Sequence, residues 1–230
     1  MGQITLAGNP PIEVVLRRSA RARRLSLRLS QLDGRVTLTL PKAVSEAEGM
    51  AFLRAKETWL RGHLARRDSP VIIAPGARLP VEGHLCEVRQ GDGRAVRLQG
   101  AVLEVPGAVD AMAGRLRGWL RARARDRLAE ASDRYAQKLG RRYDRITLRD
   151  TRSRWGSCTH DGGLMYSWRL IMAPPEVLDY VAAHEVAHLA EMNHSPAFWA
   201  VVERLYGDWR GPRRWLHQDG KRLHLYRFED

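Results

Sequence analysis

The sequence has little cysteine and almost no lysine. Its two cysteines, Cys86 and Cys158, are far apart, which excludes a disulfide framework and a CxxC metal site and fits a reducing, cytoplasmic compartment. No charge-free apolar run approaches the roughly 18 residues that a membrane span needs. The first residues, MGQITLAGNPPIEVV, show no basic stretch followed by an apolar core, so no secretory signal is expected. Leu6 occupies the position where a myristoylation pattern requires Ser or Thr. Internal repeats, low-complexity tracts and glycine-rich phosphate cradles are missing as well.

What is present is a 230-residue chain of formal net charge +13, 44% hydrophobic, with seven Trp. That is long enough for one large or two small domains with a buried core, and too apolar and aromatic for a disordered chain. Only Lys42, Lys56, Lys138 and Lys221 are lysines; the other basic residues are arginines. Abundant Arg, Ala and Gly fit a GC-rich coding composition with solvated basic faces. The other reading is a polyanion partner, nucleic acid held by an Arg-rich surface.

The order of elements reads as α+β. Leu25, Leu27 and Leu29 alternate, Asp33-Gly34 supplies a turn, and Val36, Leu38 and Leu40 alternate again, which predicts a hairpin ended by Pro41. Ser45 with Glu48 has the form of a capping box for a helix running to Arg67. From Val71 to Val109 the chain is Gly-rich and strand-like, with strands expected at Leu85–Val88, Ala95–Leu98 and Val102–Val105; the segment Val71–Pro106 reads as a lid, a propeptide-like cover or a plain connection. Leu116, Trp119, Leu120, Leu128, Ala131 and Tyr135 keep a helical period over Asp110–Leu139, closed by Gly140. Strands are expected at Ile146–Leu148 and Leu164–Leu170, and helices at Pro175–Met192, Pro196–Tyr206 and Arg210–Gly220. The change of composition near Pro106 suggests a β-rich region over 1–106, with one helix, and a second domain over 107–230.

The chemistry is concentrated in His184-Glu185-Val186-Ala187-His188. Histidines four apart on a helix share one face and can reach one ion, while Glu185 is turned about 100° away, able to address a water on that ion without ligating it. The surrounding Val177, Val181, Ala182, Ala183, Val186, Ala187, Leu189 and Ala190 make the helix apolar on nearly every side, hence buried. Two histidines and a glutamate there need a partner, and a metal supplies one; the alternative is a pair of satisfied core histidines. His194, six residues on, completes HExxHxxxxxH if Asn193 adopts the left-handed turn that returns it to the ion; otherwise it is a surface loop histidine. Five acids against one base between Ile171 and Leu205 mark an acidic island, beside 14 bases and five acids between Ala113 and Arg154. Glu191 and Asp179 read as solvated acids, or as carboxylates orienting a ligand histidine.

These residues point to a zinc hydrolase with one Zn2+ per chain, most directly a metallopeptidase acting on a peptide or protein, in which a metal-activated water attacks and Glu185 handles its proton. Arg154, Tyr166, Tyr206 and His217 are candidates for stabilising the oxyanion. Two other readings stay open: a zinc-dependent nucleotide or phosphoester hydrolase, and a nucleic-acid-associated binding protein.

His184-Glu185-Val186-Ala187-His188-Leu189, Asn193-His194-Ser195 and Phe198-Trp199, with the upstream Ser153-Arg154-Trp155-Gly156-Ser157-Cys158, Trp168-Arg169-Leu170-Ile171, Ala173-Pro174-Pro175-Glu176 and Asp179-Tyr180-Val181, resemble the YgjP-like zinc metallopeptidases, relatives of the SprT-like and WLM zincins. The likeness runs from about Arg17 to Leu223. It implies a zincin-like catalytic core, a few-stranded sheet with a long backing helix and the metal helix against it, following a β-rich N-terminal half. By position it implies zinc on His184, His188 and His194, Glu185 as general base, and the Arg154–Cys158 segment, with Trp155, at the sheet beside the cleft; Cys158 is not an expected ligand. The chain departs from the pattern at Ser167, where Asn is usual. Glu191 stands where metzincins carry Gly, and no Met follows Met192, so there is no metzincin Met-turn.

Overall fold

A computed structural model describes residues 2–30, 34–66 and 68–228. The chain divides into two compact units, Met1–Ser69 and Pro70–Asp230. In the first, β1 (Gly2–Leu6), β2 (Ile12–Ser19), β3 (Ser26–Leu29) and β4 (Val36–Pro41) form a sheet of order β1-β2-β4-β3, with β2 and β4 parallel. The expected hairpin is β3 and β4, antiparallel, with Leu27 opposite Leu38. Asp33 of its turn lies outside the described residues; Gly34 has φ 71° and donates its N–H to the Ser30 carbonyl. Strands β1 and β2 were not anticipated, although Ile12, Val14 and Leu16 alternate as buried positions. The helix after Ser45 carries its capping box, but it is two helices, α1 (Glu46–Ala55) and α2 (Glu57–Ala65), broken at Lys56; its expected end at Arg67 lies outside the described residues. Leu53 and Leu60, one from each, are fully buried with Leu38 and Leu40 of the sheet.

The second unit begins with β5 (Val71–Ile72), β6 (Arg78–Val81), β7 (His84–Gly91), β8 (Arg97–Gln99) and β9 (Val102–Pro106). The last four form a sheet of order β6-β7-β9-β8. A single helix, α3 (Val109–Leu139), follows and ends on Gly140 in the left-handed conformation. Its buried stripe, Met112, Leu116, Leu120, Ala124, Leu128, Ala131 and Tyr135, keeps a spacing of three to four residues and therefore faces one way. Leu79, Val81, Val88, Leu103 and Val105 of the sheet belong to the same core as that stripe. The Val71–Pro106 stretch is thus core-forming rather than a lid. The compact units part at Ser69/Pro70, whereas the change of composition near Pro106 falls inside the second unit.

Beyond α3 lie β10 (Ile146–Arg149), β11 (Gly156–Cys158) and β12 (Leu164–Ser167), in the order β10-β12-β11. β10 runs parallel to β12 and β11 antiparallel to it. The expected strand to Leu170 stops at Ser167 and gives way to a 3-10 turn, Trp168–Met172, every residue of it buried. Then come α4 (Pro175–Ala187), α5 (Pro196–Tyr206), α6 (Arg210–Gln218), a 3-10 turn at Gly220–His224, and β13 (Tyr226–Arg227), which pairs with β5. Helix α4 packs on α3, and the small sheet presents β11 to α4. The architecture is α+β. No helix among the described residues is long and apolar enough to cross a membrane.

Much of the arginine charge on α3 is held internally. Arg123 and Arg127 each donate to Glu82 at 2.6 Å, Arg134 to Asp179 at 2.7 Å, and Arg125 to the Ile146 carbonyl. Asp179 therefore braces α4 against α3 and does not orient a histidine.

Candidate metal centre

Pro175 at the first turn opens α4, where a missing N–H costs nothing. The helix is buried along Val177, Leu178, Val181, Ala182, Ala183, Val186 and Ala187, so its polar residues are fixed by packing. It ends at Ala187, earlier than the expected Met192, and His188 is its C-cap. The chain then turns through residues 189–194. Asn193 is not left-handed: Glu82 is the one non-glycine residue with positive φ among those described. The reversal is instead tied by Glu191 N–H to the Ala187 carbonyl and Ser195 N–H to the Asn193 carbonyl. Ser195 caps α5 through the Phe198 N–H.

This turn brings His194 back onto α4. The His184 and His194 Nε2 atoms stand 3.0 Å apart, and ligand atoms of His184, His188 and His194 all lie within 4.8 Å of one another. His188 Nδ1 is 3.0 Å from the Glu191 backbone carbonyl. Donation there fixes the tautomer and leaves Nε2 with a free lone pair; Glu191 contributes its backbone, not its carboxylate. Phe198 stacks on His188 with ring centroids 4.4 Å apart and meets the other two rings edge-on, locking their orientation.

Burial favours the neutral form of His184 and His188. Burial, then the neighbouring His188 and His194, then Arg213 lower the pKa of His184 to about 3. Burial likewise lowers that of His188, against the Glu191 carbonyl, which raises it. Neutral imidazole is the ligand form. His184 Nδ1 is buried with no hydrogen-bond partner, so Nε2, facing His194, is the ring's polar outlet. Nitrogen ligands at 2.0–2.1 Å in a tetrahedral site are about 3.3 Å apart, close to the separation of the His184 and His194 nitrogens. The donor set fits a borderline-soft dication such as zinc.

Glu185 is buried, and burial pushes its carboxyl up to about 8 despite the charge of Arg154. The side chain lies against Gly156 of β11, where a Cβ would overlap the carboxylate oxygen and stand 2.6 Å from Cγ. The Arg154–Cys158 segment thus lies beside the site. Arg154 is exposed; Trp155 is half-buried and stacked on His224 at 5.2 Å. Tyr166 is a core residue: it is fully buried, and its hydroxyl is 3.0 Å from Ser132 of α3. Burial raises its pKa far above the ordinary range. Alternation along β12 puts Tyr166 on the inner face with Leu164, so it cannot meet a substrate without leaving the core. The Tyr206 hydroxyl donates to the Glu176 carbonyl at 2.9 Å. His217 is exposed on α6 and lies outside the histidine cluster. Cys158 stays protonated, its thiol pushed up to about 11 by burial and by Glu185, and is outside the ligand group.

Arg213 escaped the sequence reading. Its guanidinium lies 5.0 Å over Trp199 and 5.4 Å over Trp209, two stacked indoles, and its charge is felt by His184 and Tyr180. The i, i+4 spacing of Trp209 and Arg213 was its one local signal.

No curated protein matches the chain. A solved structure, that of the metallopeptidase zymogen of Pyrococcus abyssi abylysin, is 20% identical with a TM-score of 0.35, covering 42% of this chain and 95% of that one; so slight a likeness carries no weight for activity. The family model described as the YgjP-like metallopeptidase domain matches residues 23–219. That span includes the three clustered histidines and Glu185, and the chain belongs to the YgjP-like metallopeptidase family, whose activity implies a metal cofactor and a peptide or protein substrate.

Proposed function

We propose that the chain is a zinc-dependent peptidase in which His184, His188 and His194 hold the ion and Glu185 is the general base. The convergence of three imidazoles at one point supports this reading most strongly. Zinc held there would lower the pKa of a water toward about 7 and polarise the scissile carbonyl. Three protein ligands leave a fourth position open, the arrangement of a catalytic rather than a structural site.

Glu185 does the proton work. Its carboxyl is raised to about 8 by burial, while a dication among the three histidines favours its ionised form. It is thereby poised to accept a proton near neutral pH and pass it to the departing amine. Gly156 clears the space the carboxylate occupies. Arg154 is an exposed cation whose charge reaches Glu185, and with Trp155 it forms the proposed substrate-facing wall. The cavity of about 350 Å³ lined by Arg149, Arg154, Ser157 and Met165 continues from that wall across the open face of the small sheet. A role for His217 in contacting substrate rests on its exposure on α6 alone.

The internal pairing of the α3 arginines accounts for part of the basic charge without a nucleic acid. Two free cysteines, one of them buried, favour a cytoplasmic setting. The test of the mechanism is Glu185→Gln: zinc content unchanged, peptide hydrolysis lost. Activity surviving in that variant would refute the general-base assignment.

A further inference from the structure

Arg213 of α6 is an exposed cation without an acid: no hydrogen bond or ion pair engages it among the described residues. Its neighbour Arg210 is paired with Asp208 at 3.3 Å, and the α3 arginines Arg123, Arg127 and Arg134 are paired with Glu82 and Asp179. An unpaired arginine on an open surface ordinarily samples many rotamers. This one is held. Trp199 and Trp209 stack with centroids 4.3 Å apart, and the guanidinium lies 5.0 and 5.4 Å from those centroids. Arginine stacked on an aromatic face keeps its N–H edges free to donate.

That platform adjoins the histidine cluster. Trp199 is 5.7 Å from the His184 ring and 5.9 Å from the His194 ring, centroid to centroid. Tyr180, one turn before His184 on α4, meets the same His184 imidazole edge-on at 5.8 Å. Tyr180 is buried, yet its hydroxyl reaches solvent and has no hydrogen-bond partner among the described residues. The hydroxyl of the adjoining Tyr206, by contrast, donates to the Glu176 carbonyl. The charge of Arg213 is felt by Tyr180. A guanidinium fork and a phenolic O–H therefore flank His184, neither of them donating to a carboxylate. Donors of this kind match the two oxygens of a carboxylate. The guanidinium rests on the indoles, set one ring back from the imidazoles. An extended peptide advances about 3.3 Å per residue, so the group that meets Arg213 is carried by the substrate near the scissile bond and is not the reacting carbonyl itself.

We infer that Arg213, with the Tyr180 hydroxyl, forms a subsite for a carboxylate of the peptide substrate and so sets which peptides the enzyme prefers. That carboxylate is either the C-terminal group of the peptide or an Asp or Glu side chain. The subsite rests on the zinc-peptidase reading of the histidine cluster and gives that reading a substrate class.

The test is calorimetric titration of the zinc-loaded protein with three short peptide hydroxamates. The hydroxamate anchors each probe on the ion. The probes are identical except at the far end, which is Gln with a free carboxylate, Glu amide or Gln amide. The wild type should bind at least one of the two carboxylate probes about tenfold more tightly than the Gln amide, the scale of one charge-assisted hydrogen bond. Arg213→Gln should abolish that preference and leave the affinity for the Gln amide unchanged. Arg213→Lys, which keeps the charge and the stem, should retain part of it, and Tyr180→Phe should reduce it. Preference for the free C-terminus assigns the chain end as the ligand; preference for the Glu amide assigns an acidic side chain. A merely structural role for Arg213 would change the affinity for all three probes alike. Equal affinity of the wild type for the three probes overturns the subsite, as does a preference that survives in Arg213→Gln. If the Gln amide itself fails to bind the zinc-loaded wild type, the peptidase reading fails and the subsite falls with it.

Discussion

Replacing Gly156 by alanine probes the catalytic geometry without touching a ligand or an ionisable group. The new Cβ would overlap a Glu185 carboxylate oxygen and stand 2.6 Å from Cγ and 2.7 Å from Cδ. Ordinary carbon contacts are about 3.5–4.0 Å, so the carboxylate must move by about 1 Å. Gly156 has no positive φ, so the substitution adds no backbone strain and acts through this contact. The obstructing atoms include Cγ of a buried side chain, which puts the stability loss within the roughly 1–3 kcal/mol typical of overpacking. A displacement of about 1 Å in a positioned group costs about 100-fold in rate. The variant should therefore keep its zinc, lose a few degrees of Tm and lose about 100-fold in kcat on a fluorogenic peptide. Gly118→Ala, where nothing lies within 4 Å of the added methyl, is the control and should keep its activity. Wild-type kcat in Gly156→Ala would refute the claim that Glu185 must occupy its observed position.

Two further outcomes follow from buried polar groups. Burial, with Arg169, lowers the pKa of His224 from 6.5 to about 4, against the opposing pull of Asp150. As pH falls below 6.5 the unfolded chain takes up this proton first, so stability declines down to about pH 4 and levels off below. At about 1.4 kcal/mol per tenfold change in proton affinity this amounts to about 3 kcal/mol; denaturant unfolding of wild type against His224→Gln should show that much less pH dependence in the variant. Tyr166→Phe removes the hydroxyl that meets Ser132 inside the core and should cost about 1–2 kcal/mol with kcat unchanged; a large fall in kcat without loss of stability would return Tyr166 to the reaction site.

What was legible in the sequence was local. The His184–His188 spacing, the Ser45 capping box, the α3 stripe and the Gly140 terminus each depend on residues within a few positions of one another. The position of His194 was readable from its six-residue spacing, although the turn that delivers it uses backbone hydrogen bonds at Ala187 and Asn193 rather than a left-handed residue. Tyr166 could have been assigned to the core by alternation from Leu164, but the same pattern was extended past Ser167 into a 3-10 turn. The alternation of Ile12, Val14 and Leu16 is as regular as that of the expected hairpin and marks β2 equally well. Other features are non-local. Gly156 matters because β11 meets α4, and the Val71–Pro106 strands join the second unit because their apolar face shares a core with α3.

The central claim, a zinc ion on His184, His188 and His194, is tested most directly by elemental mass spectrometry on the purified protein and on His188→Ala, each dialysed against zinc and then against buffer. One zinc per chain in the wild type, and a loss in the variant, is the expected result. A wild type that retains no metal, or a variant that retains the full complement, would contradict it.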